Sequence, residues 1–237
     1  YWLWINDQLV IFEGGLKRGP SPSGTYYDPV DIAPYLTKGS NTIAILLWHF
    51  GKDGFSHINS GKAALLFEAI APGLEIVSDA SWQCALYEAY QNTEAPFPNY
   101  RMPESNIRFD ARQAITNWNR TSFEGSLPGA VCVGKAGKAP FGELVERPIP
   151  QWKNSGLLSY VSVRESLRGD TLFCRLPYNA QITPYLKVEA EAGKTIHIRM
   201  DNYEGGSERN VRAEYITHEG EQEYESYGWM NGHDVYC

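Results

Sequence analysis

Polar and apolar residues alternate along most of this chain, and a helical period is almost absent. At the start, YWLWINDQLVIFEGG sets Trp2 and Trp4 against Leu3 and Ile5. Asn6-Asp7 then makes a turn, and Leu9, Val10, Ile11 and Phe12 rise again, so the stretch predicts a hairpin. TIAILLWHF, AALLFEAI and LEIVSD read as further strands. IAILLW (43–48) is a short continuous apolar run that predicts a buried strand. The segments GGLKRGPSPSGT and GKDGFSHINSGK are Gly-rich loops. PNYRMPESNIRFDARQAITNW reads as a long polar connection.

ERPIPQWKNSG, with Pro148 and Pro150, marks a linker. It divides the chain into residues 1–150 and 151–237. Beyond it the strand pattern resumes in TLFCRLPYN, YLKVEAEAG, KTIHIRMD, VRAEYITHEG and EQEYESYGWM. LKVEA and TIHIRM alternate strictly, which gives each one wet and one dry face. Short strands punctuated by Gly and Pro predict an all-β protein of β-sandwich or jelly-roll type. TPYL at 183–186 echoes APYL at 33–36, but nothing around it repeats.

Composition narrows the function classes. The 237 residues are enough for one large β domain or two smaller ones with ample core. Hydrophobic residues make up 43% and aromatics 13%, a globular balance. The 21 basic groups against 28 acidic ones leave a net charge of -7, which argues against a nucleic-acid or anionic-membrane surface. No apolar run approaches the roughly 20 residues of a membrane span. The chain opens on Tyr1 inside a strand pattern, so the natural N-terminus is expected further upstream. Cys84, Cys132, Cys174 and Cys237 are too far apart for zinc-ribbon spacing, and their apolar contexts predict buried free thiols.

The strand motifs, taken in order, resemble a known family. YWLWINDQLV followed by YYDPVDIAPYLTKGSNTIAILL is similar to the opening of the galactose-binding-like sandwich of bacterial α-L-rhamnosidases, glycoside hydrolase family 78. That opening has a strand ending in "LNG" and then "YDVT". Asp79-Ala80-Ser81-Trp82 resembles the family's "D-x-SW" turn, and FDAR (109–112) with Trp118 its "YDAR…GW". LPYNAQITPYLKVEAEAGKTIHIRM and RAEYITHEGEQEYESYGWMNGH resemble the opening and closing strands of the next, concanavalin-like sandwich.

The resemblance implies a non-catalytic N-terminal portion of a bacterial enzyme that removes terminal α-L-rhamnose with inversion. The chemistry of that family sits in an (α/α)6 barrel, of which this chain carries no pattern. Inversion needs two carboxyl groups about 6.5–9.5 Å apart, and the resemblance puts them outside this chain, so no residue here is expected to be catalytic. It also implies a second sandwich that is incomplete within this sequence, a catalytic domain in cis, a rhamnosylated glycan or glycoside as partner, and a periplasmic or secreted location; the charge balance and the short apolar runs add the expectation of no nucleic acid and no membrane span.

Candidate chemistry lies in three places. PESNIRFDAR offers Glu104, Asn106, Arg108, Asp110 and Arg112, the carboxylates, amide and guanidinium forks that hold sugar hydroxyls. Some members of the family bind rhamnose with calcium at an Asp-Asn pair, but here the pair is Asp110-Ala111, and alanine has no oxygen to offer, so no cofactor is expected. The competing reading is an Asp-Arg brace pinning the loop. Trp48, His49, Phe50 and His57 flank a Gly-rich loop and could form a sugar platform, or be ordinary strand residues. Glu219, Glu221, Glu223 and Glu225 recur at every second position, which on a strand puts them on one solvated face opposite Gln222, Tyr224 and Ser226. His218 and His233 are separated by a turn and predict no metal site. Trp229 and Tyr236 are expected to be exposed, marking a docking surface. Asn119-Arg120-Thr121 matches a glycosylation sequon by coincidence. The alternative to the rhamnosidase portion is a stand-alone carbohydrate-binding module for rhamnose-type sugars.

Overall fold

The computed structural model describes residues 1–16, 18–21, 23–51, 53, 58–93, 106–203 and 211–237. Among them there is no helix of seven or more residues, and the structure is an all-β assembly of several sheets. No helix is long and apolar enough to cross a membrane. Contacts divide the chain into two compact units. Unit 1 is Tyr1–Leu86 with Ile115–Asn154, and unit 2 is Tyr87–Ala114 with Ser155–Cys237. The stretch 87–114, read from sequence as part of the first sandwich, packs instead in unit 2.

Unit 1 is built around β1 (Trp2–Ile5), which lies between β2 (Gln8–Ile11) and β4 (Ile43–Leu46) in an antiparallel three-stranded sheet. All four β1 residues are buried. Leu3 and Ile5 pack with Ile11 and with the half-buried Val30, Ile32, Ile43 and Ile45. On the other face Trp2 stacks on Trp48 at 5.7 Å and Trp4 meets Trp118 edge-on at 5.2 Å. The predicted turn is present: Asn6 and Asp7 have φ of 47° and 70°, the left-handed pair that matches strand twist in a two-residue hairpin. β3 (Gly24–Tyr27) pairs in parallel with β9 (Glu143–Glu146), and β5 (Glu68–Ala71) forms a hairpin with β6 (Leu74–Val77). The AALLFEAI strand is therefore shorter than expected, beginning only at Glu68.

Unit 2 contains a seven-stranded sheet in the order β10-β11-β16-β13-β14-β8-β7. Its strands are β7 (Tyr90–Asn92), β8 (Ile107–Asp110), β10 (Ser162–Glu165), β11 (Leu172–Ile182), β13 (Thr195–Met200), β14 (Ala213–Ile216) and β16 (Met230–Tyr236). A two-stranded sheet of β12 (Tyr185–Ala190) and β15 (Gly220–Glu225) packs on one face of it. The contact is aromatic. Tyr224 of β15 stacks on Phe109 and on Tyr215, both at 4.7 Å. Ring pairs of this kind add about 0.5–1.5 kcal/mol each beyond their area burial. A second cluster, with Cys174, Leu176, Ile198, Met200 and Val235, fills the same face towards β11 and β16. The connection read as polar in sequence thus contains a sheet strand: in IRFD, Ile107 and Phe109 point to the core while Arg108 and Asp110 take the other face.

Candidate functional site

The PESNIRFDAR residues sit on and beside β8. Asn106, Arg108 and Asp110 alternate onto one face, and Glu104 lies outside the described residues. The structure divides the rest between two polar clusters. In the first, Asn106 Oδ1 accepts the Arg212 backbone N–H at 3.2 Å. Arg212 Nε donates to Glu214 Oε1 at 2.8 Å, and its terminal nitrogen lies 2.6 Å from the same oxygen. Arg108 Nε is 4.0 Å from Glu214 Oε2, and His197 Nδ1 is 3.8 Å from Oε1. Glu214 is only 2% exposed, so this carboxylate is buried among cationic partners.

The second cluster is local. Asp110, 4% exposed, takes two donors from the Arg112 guanidinium at 2.9 and 2.7 Å, the Arg112 backbone N–H at 3.1 Å and Gln113 at 3.3 Å. It caps the short 3-10 turn Ala111–Gln113. The Arg112 fork holds the Asp110 carboxyl below its ordinary range, against the smaller opposing effect of burial. Both carboxylate oxygens are committed to this brace. Asp110→Ala is therefore expected to cost unit 2 about 1–2 kcal/mol, as for a lost cap. The depressed pKa means this support is present above the unfolded value and fades as pH falls through the folded one. Urea unfolding at pH 7 and pH 3 checks both the size and the pH trend.

The other sequence candidates resolve simply. Trp48 stacks on Trp2 and lies 4.9 Å from Phe50, so both rings serve packing, while His49 is exposed and His57 lies outside the described residues. The glutamate row is a wet strand face. Glu219, Glu221 and Glu223 are exposed and Glu225 half-buried, opposite buried Gln222, Tyr224 and Ser226. Glu223 pairs across the sheet with Lys187 at 3.3 Å. Tyr236 corrects an expectation: it is 8% exposed, and Trp229 is half-buried. Tyr236 is covered because Phe173 meets it edge-on at 5.4 Å and the Arg199 guanidinium lies over its ring. All four cysteines are free, but only Cys174 is buried; Cys84 and Cys132 are exposed, the latter reaching the Gly134 carbonyl at 3.4 Å. Cys237 is half-buried, and burial with the neighbouring Cys174 pushes its thiol up to about 12.

Glycoside hydrolysis needs one carboxyl group kept protonated beside one kept ionised. Among the described residues, every carboxyl whose pKa is clearly displaced is displaced downward: Asp7, Asp28, Asp79, Asp110 and Asp170. No described group of three or more His, Cys, Asp or Glu side chains converges in a way that could hold a metal.

No protein-family description and no curated protein matches the sequence. Solved structures do match, over 99% of this chain. In fold, the chain is similar to α-L-rhamnosidases. The enzyme from Dictyoglumus thermophilum aligns with a TM-score of 0.65 at 19% identity, and native α-L-rhamnosidase from Aspergillus terreus with 0.66 at 20%. The Streptomyces avermitilis α-L-rhamnosidase, complexed with L-rhamnose, aligns with 0.66 at 17%. This chain spans only 24–28% of the length of these three proteins. One of them is from Aspergillus, so the likeness does not carry the bacterial source expected from sequence.

Proposed function

We propose that the chain is a non-catalytic portion of an α-L-rhamnosidase-type glycoside hydrolase of family 78. In this reading unit 1 is a galactose-binding-like sandwich and unit 2 part of a concanavalin-like one, and hydrolysis of terminal α-L-rhamnose belongs to a barrel domain elsewhere in a longer protein. One observation carries the proposal: the fold likeness covers 99% of this chain but about a quarter of each rhamnosidase. The site geometry supports it. Asn106 and Asp110 are spent on the Arg212 backbone and the Arg112 fork, so they act as braces rather than sugar ligands. Asp110 beside Ala111 does not suit calcium, whose hard-oxygen shell it could fill only by releasing Arg112.

The test is turnover of an aryl α-L-rhamnoside. The purified 237-residue chain is expected to give none, while a longer protein that continues the sequence into a helical barrel is expected to release rhamnose with inverted configuration. Hydrolysis by the chain alone, or a continuation with no activity on rhamnosides, would overturn the proposal. Calorimetric titration with L-rhamnose separates it from the stand-alone binding module, which requires saturable binding to this chain.

A further inference from the structure

The face of the seven-stranded sheet opposite its aromatic core carries a row of arginines and aromatic rings. Arg164 of β10, Phe173 of β11, Tyr236 of β16 and Arg199 of β13 stand in register across four adjacent strands. The Arg164 guanidinium lies 5.5 Å from the centre of the Phe173 ring, and that of Arg199 lies 5.3 Å from the centre of Tyr236. The next row, one step along the strands, holds Arg175 paired with Asp234 at 2.9 Å. These two rows therefore present three guanidiniums and the Asp234 carboxylate, with the Asp201 carboxylate beside them taken up by the His233 and Asp234 N–H groups at 2.8 and 3.1 Å, in a chain whose net charge is -7. The neighbouring β8–β14 cluster adds two more guanidiniums around the single carboxylate of Glu214. No described carboxylate pairs with Arg164 or Arg199.

We propose that this arginine–aromatic row is a binding surface for a carboxylate-bearing glycan, that is, a uronate-containing oligosaccharide. A guanidinium held over a ring face still has N–H donors to offer a ligand carboxylate. Two such forks at either end of the row fix two carboxylates of one chain, three strand spacings or about 14 Å apart at the backbone. A protein partner fits the surface less well. Stable protein interfaces have an apolar centre, and here both rings are capped by guanidiniums. The exposed apolar side chains nearby, Val163 and Leu172, are one residue out of step and point to the opposite face. The choice of a glycan over a peptide rests on the glycoside-hydrolase reading; the choice of an anionic ligand does not.

The experiment is calorimetric titration of the 237-residue chain with tetragalacturonate, with a neutral tetrasaccharide and a tetraglutamate peptide in parallel, at low and at physiological salt. Saturable binding of tetragalacturonate that weakens with salt is expected, with none to the neutral sugar. Arg164→Gln with Arg199→Gln should weaken it by about tenfold or more. The double lysine variant keeps the charge but not the fork, so it should fall between. A matched thermal melt shows whether the variants remain folded. Absence of binding, equal binding by the folded glutamine variant, or tighter binding of tetraglutamate would overturn the proposal. Rhamnoside turnover is a separate readout, so the two proposals fail independently.

Discussion

Arg147→Ala is expected to destabilise unit 1 by about 3–5 kcal/mol, the cost of leaving a buried charge without its partner. The Arg147 and Asp28 side chains are 3% and 1% exposed. Arg147 Nε donates to Asp28 Oδ1, one terminal nitrogen reaches the Gly15 carbonyl at 3.1 Å, and the other the Pro150 carbonyl at 3.3 Å. Asp28 Oδ2 accepts the Gly15 N–H at 2.7 Å and the Tyr1 hydroxyl at 2.8 Å. One ion pair thus ties together the residue before β1, the Gly-rich loop after the hairpin, the residue after β3 and the segment after β9. Alanine removes the guanidinium and leaves a buried carboxylate and two carbonyls without it.

The pH dependence has a definite sign. Burial alone would raise the Asp28 pKa, but the Arg147 fork, the Gly15 N–H and the Tyr1 hydroxyl outweigh it and hold the carboxyl below its ordinary value. A depressed carboxyl contributes stability that is fully present above its unfolded pKa and is lost as pH falls through the folded one. The wild-type chain should therefore lose stability in unit 1 below about pH 4, and Arg147→Ala should flatten that loss. Urea unfolding followed by tryptophan fluorescence, which reports the Trp2–Trp48 and Trp4–Trp118 contacts of this unit, measures both. A loss under about 1 kcal/mol at pH 7 would show that the pair is not the brace of this unit.

That pair also marks where sequence reasoning stops. The two residues are 119 positions apart, and Arg147 directly precedes Pro148 in a stretch whose composition reads as linker. Local pattern has no access to such a partner. The same limit applies to the parallel pairing of β3 with β9 and of β8 with β14, whose registers are fixed by tertiary packing. IRFD is too short for its alternation to stand out, and only its pairing between β14 and β7 and the docking of Phe109 against Tyr215 and Tyr224 reveal it as a sheet strand of unit 2. Where one face is wet and the other dry, the sequence is explicit. The glutamates of β15, the alternation of β12 and β13 and the Asn6-Asp7 turn all take their expected places. The candidate site was half legible. The Asp110–Arg112 brace is local and follows from spacing, whereas the Arg212–Glu214 partner of Asn106 and Arg108 lies more than a hundred residues away. Exposure of Cys84 and Cys132 was missed for a related reason: an apolar neighbourhood in sequence does not say which face a loop turns outward.

Gly142→Ala should be among the most damaging single substitutions in unit 1, at about 3 kcal/mol or more. Gly142 immediately precedes β9 and has φ of +63°, a conformation that L side chains enter at a cost of about 1–2 kcal/mol. Space is the larger problem. A Cβ at this position would run into the Ser23 carbonyl oxygen and sit 2.7 Å from its carbon. That carbonyl is backbone, and it directly precedes β3, whose Gly24 pairs with Glu143. It can move only if the β3–β9 pair opens, and the Thr25 hydroxyl bond to the Phe141 carbonyl at 2.6 Å would be lost with it. Gly137 supplies the control. Its φ is +74°, but a Cβ there meets nothing within 4 Å, so Gly137→Ala should carry only the conformational cost. The difference between the two variants in urea unfolding therefore isolates the close approach of the two segments. Hydrogen exchange should localise it, with faster exchange of the Arg147 amide, which bonds to the Tyr27 carbonyl at the far end of the pair, in Gly142→Ala alone. Equal losses in the two variants would mean that β3 and β9 do not approach as closely as this structure places them.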